Sequence, residues 1–124
     1  MRRKSFAVIG MGRFGTSVAL SFSRLGHDVL VIDSDEKKIQ DISEQVTHAV
    51  QADATNEHAL KALAITNFDA VVVGIGIDLQ ASILTAILLK EMGVKYILAR
   101  AQTDLHGKVL EKIGVDRVVF PERD

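Results

Sequence analysis

The chain has 124 residues, with 15 Lys plus Arg against 16 Asp plus Glu, a formal net charge of −1, 48% hydrophobic residues and no cysteine. Those figures fit one domain closing a single core. They exclude a disordered chain, a disulfide framework, a thiolate metal site and a cysteine nucleophile, and they argue against a nucleic-acid binder, which needs a basic surplus to neutralise phosphates.

The predicted elements alternate along the chain. Residues 5–9 read as a strand and 13–25 as a helix closed by Gly26. A strand follows at 29–32, a helix at 35–46 with Ile39, Ile42 and Val46 on one face, and a weaker strand at 48–52. Thr55 is placed to cap a short helix reaching Ala64. Residues 70–73 form a strand ended by Gly74, and 78–92 a long helix closed by Gly93. A strand at 96–99, a helix from Thr103 or Asp104 to Ile113 closed by Gly114, and a last strand at 117–120 complete the series. Val71-Val72-Val73 and Val118-Val119-Phe120 are continuous apolar runs, the mark of strands buried on both faces by helices. The pattern predicts an α/β, Rossmann-like, doubly wound, six-stranded parallel sheet with helices on both faces and right-handed crossovers. Gly26, Gly93 and Gly114 stand where a left-handed residue ends a helix.

Arg2-Arg3-Lys4 before Phe6-Ala7-Val8-Ile9 has the opening of a signal peptide, but Gly10 breaks the run well short of the roughly 7–15 apolar residues required. No stretch approaches the ~18–20 apolar residues of a bilayer span, and a cytoplasmic location is expected. The last strand lacks the helix that would normally cover it, so residues 1–124 read as one lobe of a longer protein.

Gly10-Met11-Gly12-Arg13-Phe14-Gly15 is a G-x-G-x-x-G placed directly after a strand and opening a helix. In that context the first glycine permits the tight turn, the second lets backbone approach a pyrophosphate and the third lets helix and strand pack closely. The helix N-terminus then favours an anion. Asp33 ends the second strand at about the ~20-residue interval expected of the acid that accepts from ribose hydroxyls. Ser34 and Asp35 are available for turn and cap, leaving Asp33 free, and its charge disfavours the 2′-phosphate of NADP. Asp53, in Ala52-Asp53-Ala54-Thr55, is either a wall of the adenine pocket or a turn residue. Gly74-Ile75-Gly76 lies beside the point where strand order reverses, as a ligand-bearing loop or a plain tight turn. Arg13 and Arg100 fall on one rim, suited to a polyphosphate or simply solvated.

Other chemistry is not indicated. Tyr96 and Arg100 make no Tyr-x-x-x-Lys pair. His27, His48, His58 and His106 have no metal-ligand spacing and read as surface or loop residues. The 79–92 helix carries large apolar residues on nearly every face (Leu79, Ile83, Leu84, Ile87, Leu88, Leu89, Met92), more than one sheet-facing stripe needs. The extra face suits an oligomer interface; the alternative is a central helix buried all round.

Taken together, the segment from Phe6 to Gly15, Asp33, Ala52-Asp53-Ala54-Thr55, Asn67-Phe68-Asp69, Gln80-Ala81-Ser82, the run Lys108 to Arg117 and Pro121-Glu122-Arg123-Asp124 resemble the nucleotide-binding N-terminal lobe of the RCK/KTN (TrkA-N) proteins. These are cytoplasmic regulators of potassium channels and transporters. The resemblance implies a non-enzymatic lobe that binds NAD(H), ATP or ADP, dimers built into an octameric ring, and a membrane potassium transporter or channel as partner. It further implies terminal-phosphate sensing by Arg13, and Glu122 at the dimer interface as a ligand for a divalent cation. The competing reading is an enzyme, the cofactor half of an NAD-dependent dehydrogenase. A nucleotide-free scaffold lobe is a third. The sequence does not separate NAD from ATP or ADP, since both present an adenosine diphosphate to the same loop.

Overall fold

Each of the first five strands is followed by a helix that carries the chain back to the same end of the sheet, so every strand enters in the same direction. The computed structural model describes residues 2–121. Its elements are β1 (Ser5–Ile9), α1 (Arg13–Arg24), β2 (Asp28–Asp33), α2 (Glu36–Ile42), β3 (His48–Gln51), α3 (Glu57–Ala62), β4 (Ala70–Val73), α4 (Leu79–Met92), β5 (Ile97–Arg100), α5 (Asp104–Ile113) and β6 (Arg117–Val119). The sheet has six strands in the order β3-β2-β1-β4-β5-β6, all parallel. β1 is central, with Ala7 registered between Leu30 and Val71 and Ile9 between Ile32 and Val73. The order reverses between β1 and β4. Loops leaving their carboxyl ends turn to opposite faces there and open a crevice.

Alternate residues of one strand enter two different cores. Ala7, Ile9, Leu30, Ile32, Val71 and Val73 pack with Leu60, Ile65, Ala86, Leu89 and Leu110, on the face covered by α3, α4 and α5. Val8, Val29, Val31 and Val72 pack with Ala19, Ile39 and Ile42 of α1 and α2 on the other. That division is why the inner parts of the central strands, residues 6–9, 29–32 and 70–73, are apolar without alternation.

Three expectations are corrected at helix ends. α2 stops at Ile42 and tightens into a 3₁₀ turn, Ser43–Gln45, rather than reaching Val46. The Ser43 hydroxyl donates to the Gln40 carbonyl and the Gln45 amide to the Asp41 carbonyl, local bonds that compete with further helix. α3 is capped by Asn56, which accepts from the Ala59 amide, because Thr55 is engaged by Asp53. It ends at Ala62, before Ala64 turns to φ 53°. Gly26, Gly93 and Gly114 do adopt positive φ.

Candidate functional site

The glycine loop joins β1 to α1 at the crevice. Gly10 takes φ +96° and donates its amide to the Ile32 carbonyl at 2.9 Å. A Cβ on Gly15 would lie 1.8 Å from the Gly10 carbonyl oxygen, so the close packing of α1 on this turn tolerates no side chain there. Gly74 completes the contact: its amide donates to the Ile9 carbonyl, and its own Cβ would lie 3.3 Å from the Gly15 Cα. Gly12 is different. It has φ −76°, open to any residue, and a Cβ there would meet nothing within 4 Å. The fold gives no reason for glycine at this position; the space above it is free for an approaching ligand.

α1 begins directly after Gly12. It is the one α-helix among those described whose N-terminus has no side-chain cap, and its first turn holds no acid. Its leading amides are therefore left to water or to an anion, which the helix dipole favours.

Two adjoining clefts meet at Gly12. The first, about 290 Å³, is walled by Gly10, Met11 and Gly12, by Asp33 and Ser34, by Asp53, Ala54 and Thr55, and by Gly74, Ile75 and Gly76. The second, about 660 Å³, is walled by Arg13 and Phe14, by Gly74 and Gly76, and by Arg100, Gln102 and Pro121. All the expected segments thus converge on one trough. Arg13 and Arg100 do share a rim, and the Arg100 guanidinium packs over Gly76, where a Cβ would lie 2.8 Å from its nitrogen. Gly15 lies beneath the loop and serves its closure. Glu122, the expected cation ligand, lies outside the described residues. Among the described residues, no group of three or more His, Asp or Glu could hold a metal ion.

Asp33 corrects the reading that leaves it free. Its Oδ2 accepts the Met11 amide at 2.7 Å and its Oδ1 the Asp35 amide at 2.8 Å. It therefore ties the glycine loop to the β2–α2 turn, while Asp35 caps α2 through the Lys37 amide. Each carboxylate oxygen has a second lone pair, so acceptance from ribose hydroxyls is compatible with both bonds. At Asp53 both alternatives hold: it walls the first cleft and also makes a turn, Oδ1 accepting from the Thr55 hydroxyl at 2.6 Å and the Thr55 amide at 2.9 Å. The hydroxyl first, then the amide, hold its carboxyl below the usual range against a small opposing effect of burial.

Sequence reasoning missed several contributors. Lys38 walls the first cleft from α2; a basic residue one turn beyond the acid was the available signal. Thr85 is buried and donates to the Ala54 carbonyl at 3.2 Å, anchoring the 53–55 loop to α4. His106 is a correction, since it is only 3% exposed rather than a surface residue. Its Nδ1 accepts the Gln102 amide at 3.0 Å, which puts the proton on Nε2, 3.0 Å from the Ser82 hydroxyl. That tautomer donates to Ser82 and cannot take its proton, so the pair is no nucleophile–base dyad. Burial first, then the charge of Arg100, lower the His106 pKa and keep the ring neutral. Its spacing before Leu110 on the inner face of α5 was the signal.

α4 has an inverted distribution. Its buried residues are Ser82, Thr85, Ala86 and Leu89, whereas Leu79 and Leu84 are exposed and Ile83, Ile87 and Leu88 half-buried. No helix among the described residues is long and apolar enough to cross a membrane.

Comparison with known proteins agrees with this architecture. The family model of the TrkA-N domain matches residues 6–121. Ktr system potassium uptake proteins A and C of Bacillus subtilis (strain 168) are 49% identical over 124 residues and 51% identical over 122. Those alignments cover 100% and 98% of this chain but 56% and 55% of the relatives, so the chain spans about half their length. In fold, it superposes on the NAD(P)-binding domain of an exopolyphosphatase-related protein from Archaeoglobus fulgidus with a TM-score of 0.86 at 24% identity, covering 98% of this chain and 90% of that one. It also superposes on GsuK bound to ADP, with a TM-score of 0.84 at 16% identity, covering 98% of this chain and 32% of that one. Matched along nearly its whole length by that family model and by relatives of about half identity, the chain belongs to the TrkA-N domain family.

Proposed function

We propose that the trough binds an adenine nucleotide, ATP, ADP or NAD(H), and that the domain is the ligand-sensing lobe of a cytoplasmic regulator gating a membrane potassium transporter or channel. The observation that carries the reading is Gly12: a glycine the fold does not require, with open space at its Cα, at the uncapped start of α1. Asp33 and the 53–55 loop suit a ribose and an adenine on one side of it. Arg13 and Arg100 suit the phosphate tail on the other. The anionic Asp33 disfavours a 2′-phosphate. Names of the relatives support the transport role, and the likeness in fold to GsuK bound to ADP and to a domain described as NAD(P)-binding supports the ligand class.

In this reading the lobe is a sensor without chemistry of its own, which the potassium-uptake names of its relatives support. Its output passes through assembly. The apolar outer side of α4 joins two copies into a dimer, and the full-length protein builds a larger ring, of eight copies in the RCK pattern, against its membrane partner. Glu122 is assigned a divalent cation on the resemblance to the RCK/KTN family alone. A ligand can gate such an assembly only by binding two ring shapes with different affinity. Potassium flux through the full-length regulator and its membrane partner in vesicles tests this. ATP, ADP and NADH should set different fluxes; identical flux with all three and with none would refute the sensor and leave the dehydrogenase half.

A further inference from the structure

We infer that His106 is a positioning residue of this site: it latches the β5–α5 turn to α4, fixing the Gln102 side of the far cleft wall. The inference rests on the nucleotide reading above and concerns only the phosphate-tail end of the trough.

The 101–104 segment is held from two directions. The Ala101 amide donates to the Val119 carbonyl at 2.8 Å, and Thr103 caps α5 by accepting the His106 amide at 3.1 Å. Between them Gln102 is exposed and walls the distal cleft with Arg100 and Arg13. Its backbone is pinned from beneath by the buried His106 Nδ1 at 3.0 Å, and the same ring reaches α4 through Ser82 at 3.0 Å. An aliphatic side chain would fill this volume without the cost of burying two ring nitrogens. What the imidazole adds is a bridge of two hydrogen bonds between separate elements, both satisfied. Ser82 lies one turn before Thr85, which holds the Ala54 carbonyl at the other end of the trough. α4 is thereby bonded to both ends of the ligand site. Gly107, next in sequence, is seated so closely on the Phe120 ring that a Cβ would lie 2.7 Å from it, so α5 has little freedom to compensate for a lost latch.

The two nitrogens can be separated by isosteres. In His106→Asn the side-chain oxygen stands where Nδ1 stood and can accept the Gln102 amide. In His106→Gln the terminal amide stands where Nε2 stood, keeping Ser82 but releasing the turn. The full chain is titrated with ATP and with AMP. His106→Gln should weaken ATP about tenfold, the scale of one charge-assisted contact, leave AMP unchanged and so flatten the ATP/AMP ratio. His106→Asn keeps the Gln102 bond and loses only the Ser82 anchor, so it should flatten that ratio less than His106→Gln does. An unchanged ratio in His106→Gln, or equal losses for ATP and AMP, overturns the positioning role. Amide hydrogen exchange on the wild-type protein gives a check independent of any variant's folding. The Gln102 amide should be protected without nucleotide, and exchange at the rate of an open turn overturns the latch. Wild-type protein that binds neither ATP nor AMP would instead refute the nucleotide reading itself.

Discussion

Replacing Asp33 by alanine should weaken the free domain as well as the ribose site. The side chain accepts two backbone amides, from Met11 at 2.7 Å and Asp35 at 2.8 Å, so its loss unties the glycine loop from the β2–α2 turn. Hydrogen bonds to a charged group contribute ~1.5–3 kcal/mol each. Asp33 is only half-buried, and water can replace much of what is lost, so the net cost is about 2–3 kcal/mol. For a domain of this size that is a fall of roughly 10 °C in Tm. Asp33→Asn retains one acceptor and should lose about half as much. Melting is followed without ligand, and calorimetric titration of ATP then measures a further loss of about 1–3 kcal/mol in affinity. A ligand-free alanine variant melting within about 2 °C of wild type would refute the tie, since even one lost kcal/mol moves Tm further. Unchanged ATP affinity would remove Asp33 from the ribose site.

Arg13→Ala should weaken ATP binding about ten- to a hundredfold and ADP binding less, as titration calorimetry would show; equal losses would reduce Arg13 to a general phosphate contact. Leu84→Glu places a charge on a residue 42% exposed in the single chain, so the fold should survive while light scattering shows dimers dissociating. A wild-type protein already monomeric at micromolar concentration would contradict the α4 interface. His106 has a lowered pKa in the fold, so below its unfolded value of about 6.5 the unfolded chain takes up the proton first. Its contribution is complete above that pH and declines as pH falls toward the folded value. His106→Asn should melt with a shallower pH slope than wild type as pH falls below about 6.5.

The parallel sheet with helices on both faces was legible because residues 6–9, 29–32 and 70–73 are continuous apolar runs, which a sheet covered on both faces explains. The glycine loop was legible because Gly10 and Gly15 answer steric demands that are local in sequence. The share of work between neighbouring polar residues was not. Asp33 and Asp35 both follow β2, and only the three-dimensional approach of the Met11 amide makes Asp33 the tie and Asp35 the cap. Thr55 and Asn56 are equally good caps by type, and the Asp53 turn decides between them. Thr85 acts on the 53–55 loop, distant in sequence, so no local pattern marks it, and the local signals at Lys38 and His106 do not show what each side chain meets. The excess of apolar residues on α4 was plain, whereas its small and polar inner face depends on packing against α5 and the 53–55 loop.

The measurement nearest to the central claim compares ATP, ADP and NADH binding by wild type and by Gly12→Val. A valine at position 12 has open space and an allowed backbone, so the variant should melt close to wild type. Its side chain would stand where a pyrophosphate must pass to reach the first amides of α1. Wild-type protein that binds these nucleotides, with an equally stable Gly12→Val that binds none, is the result this account predicts. Undiminished binding by Gly12→Val, or no binding by wild type, would contradict it.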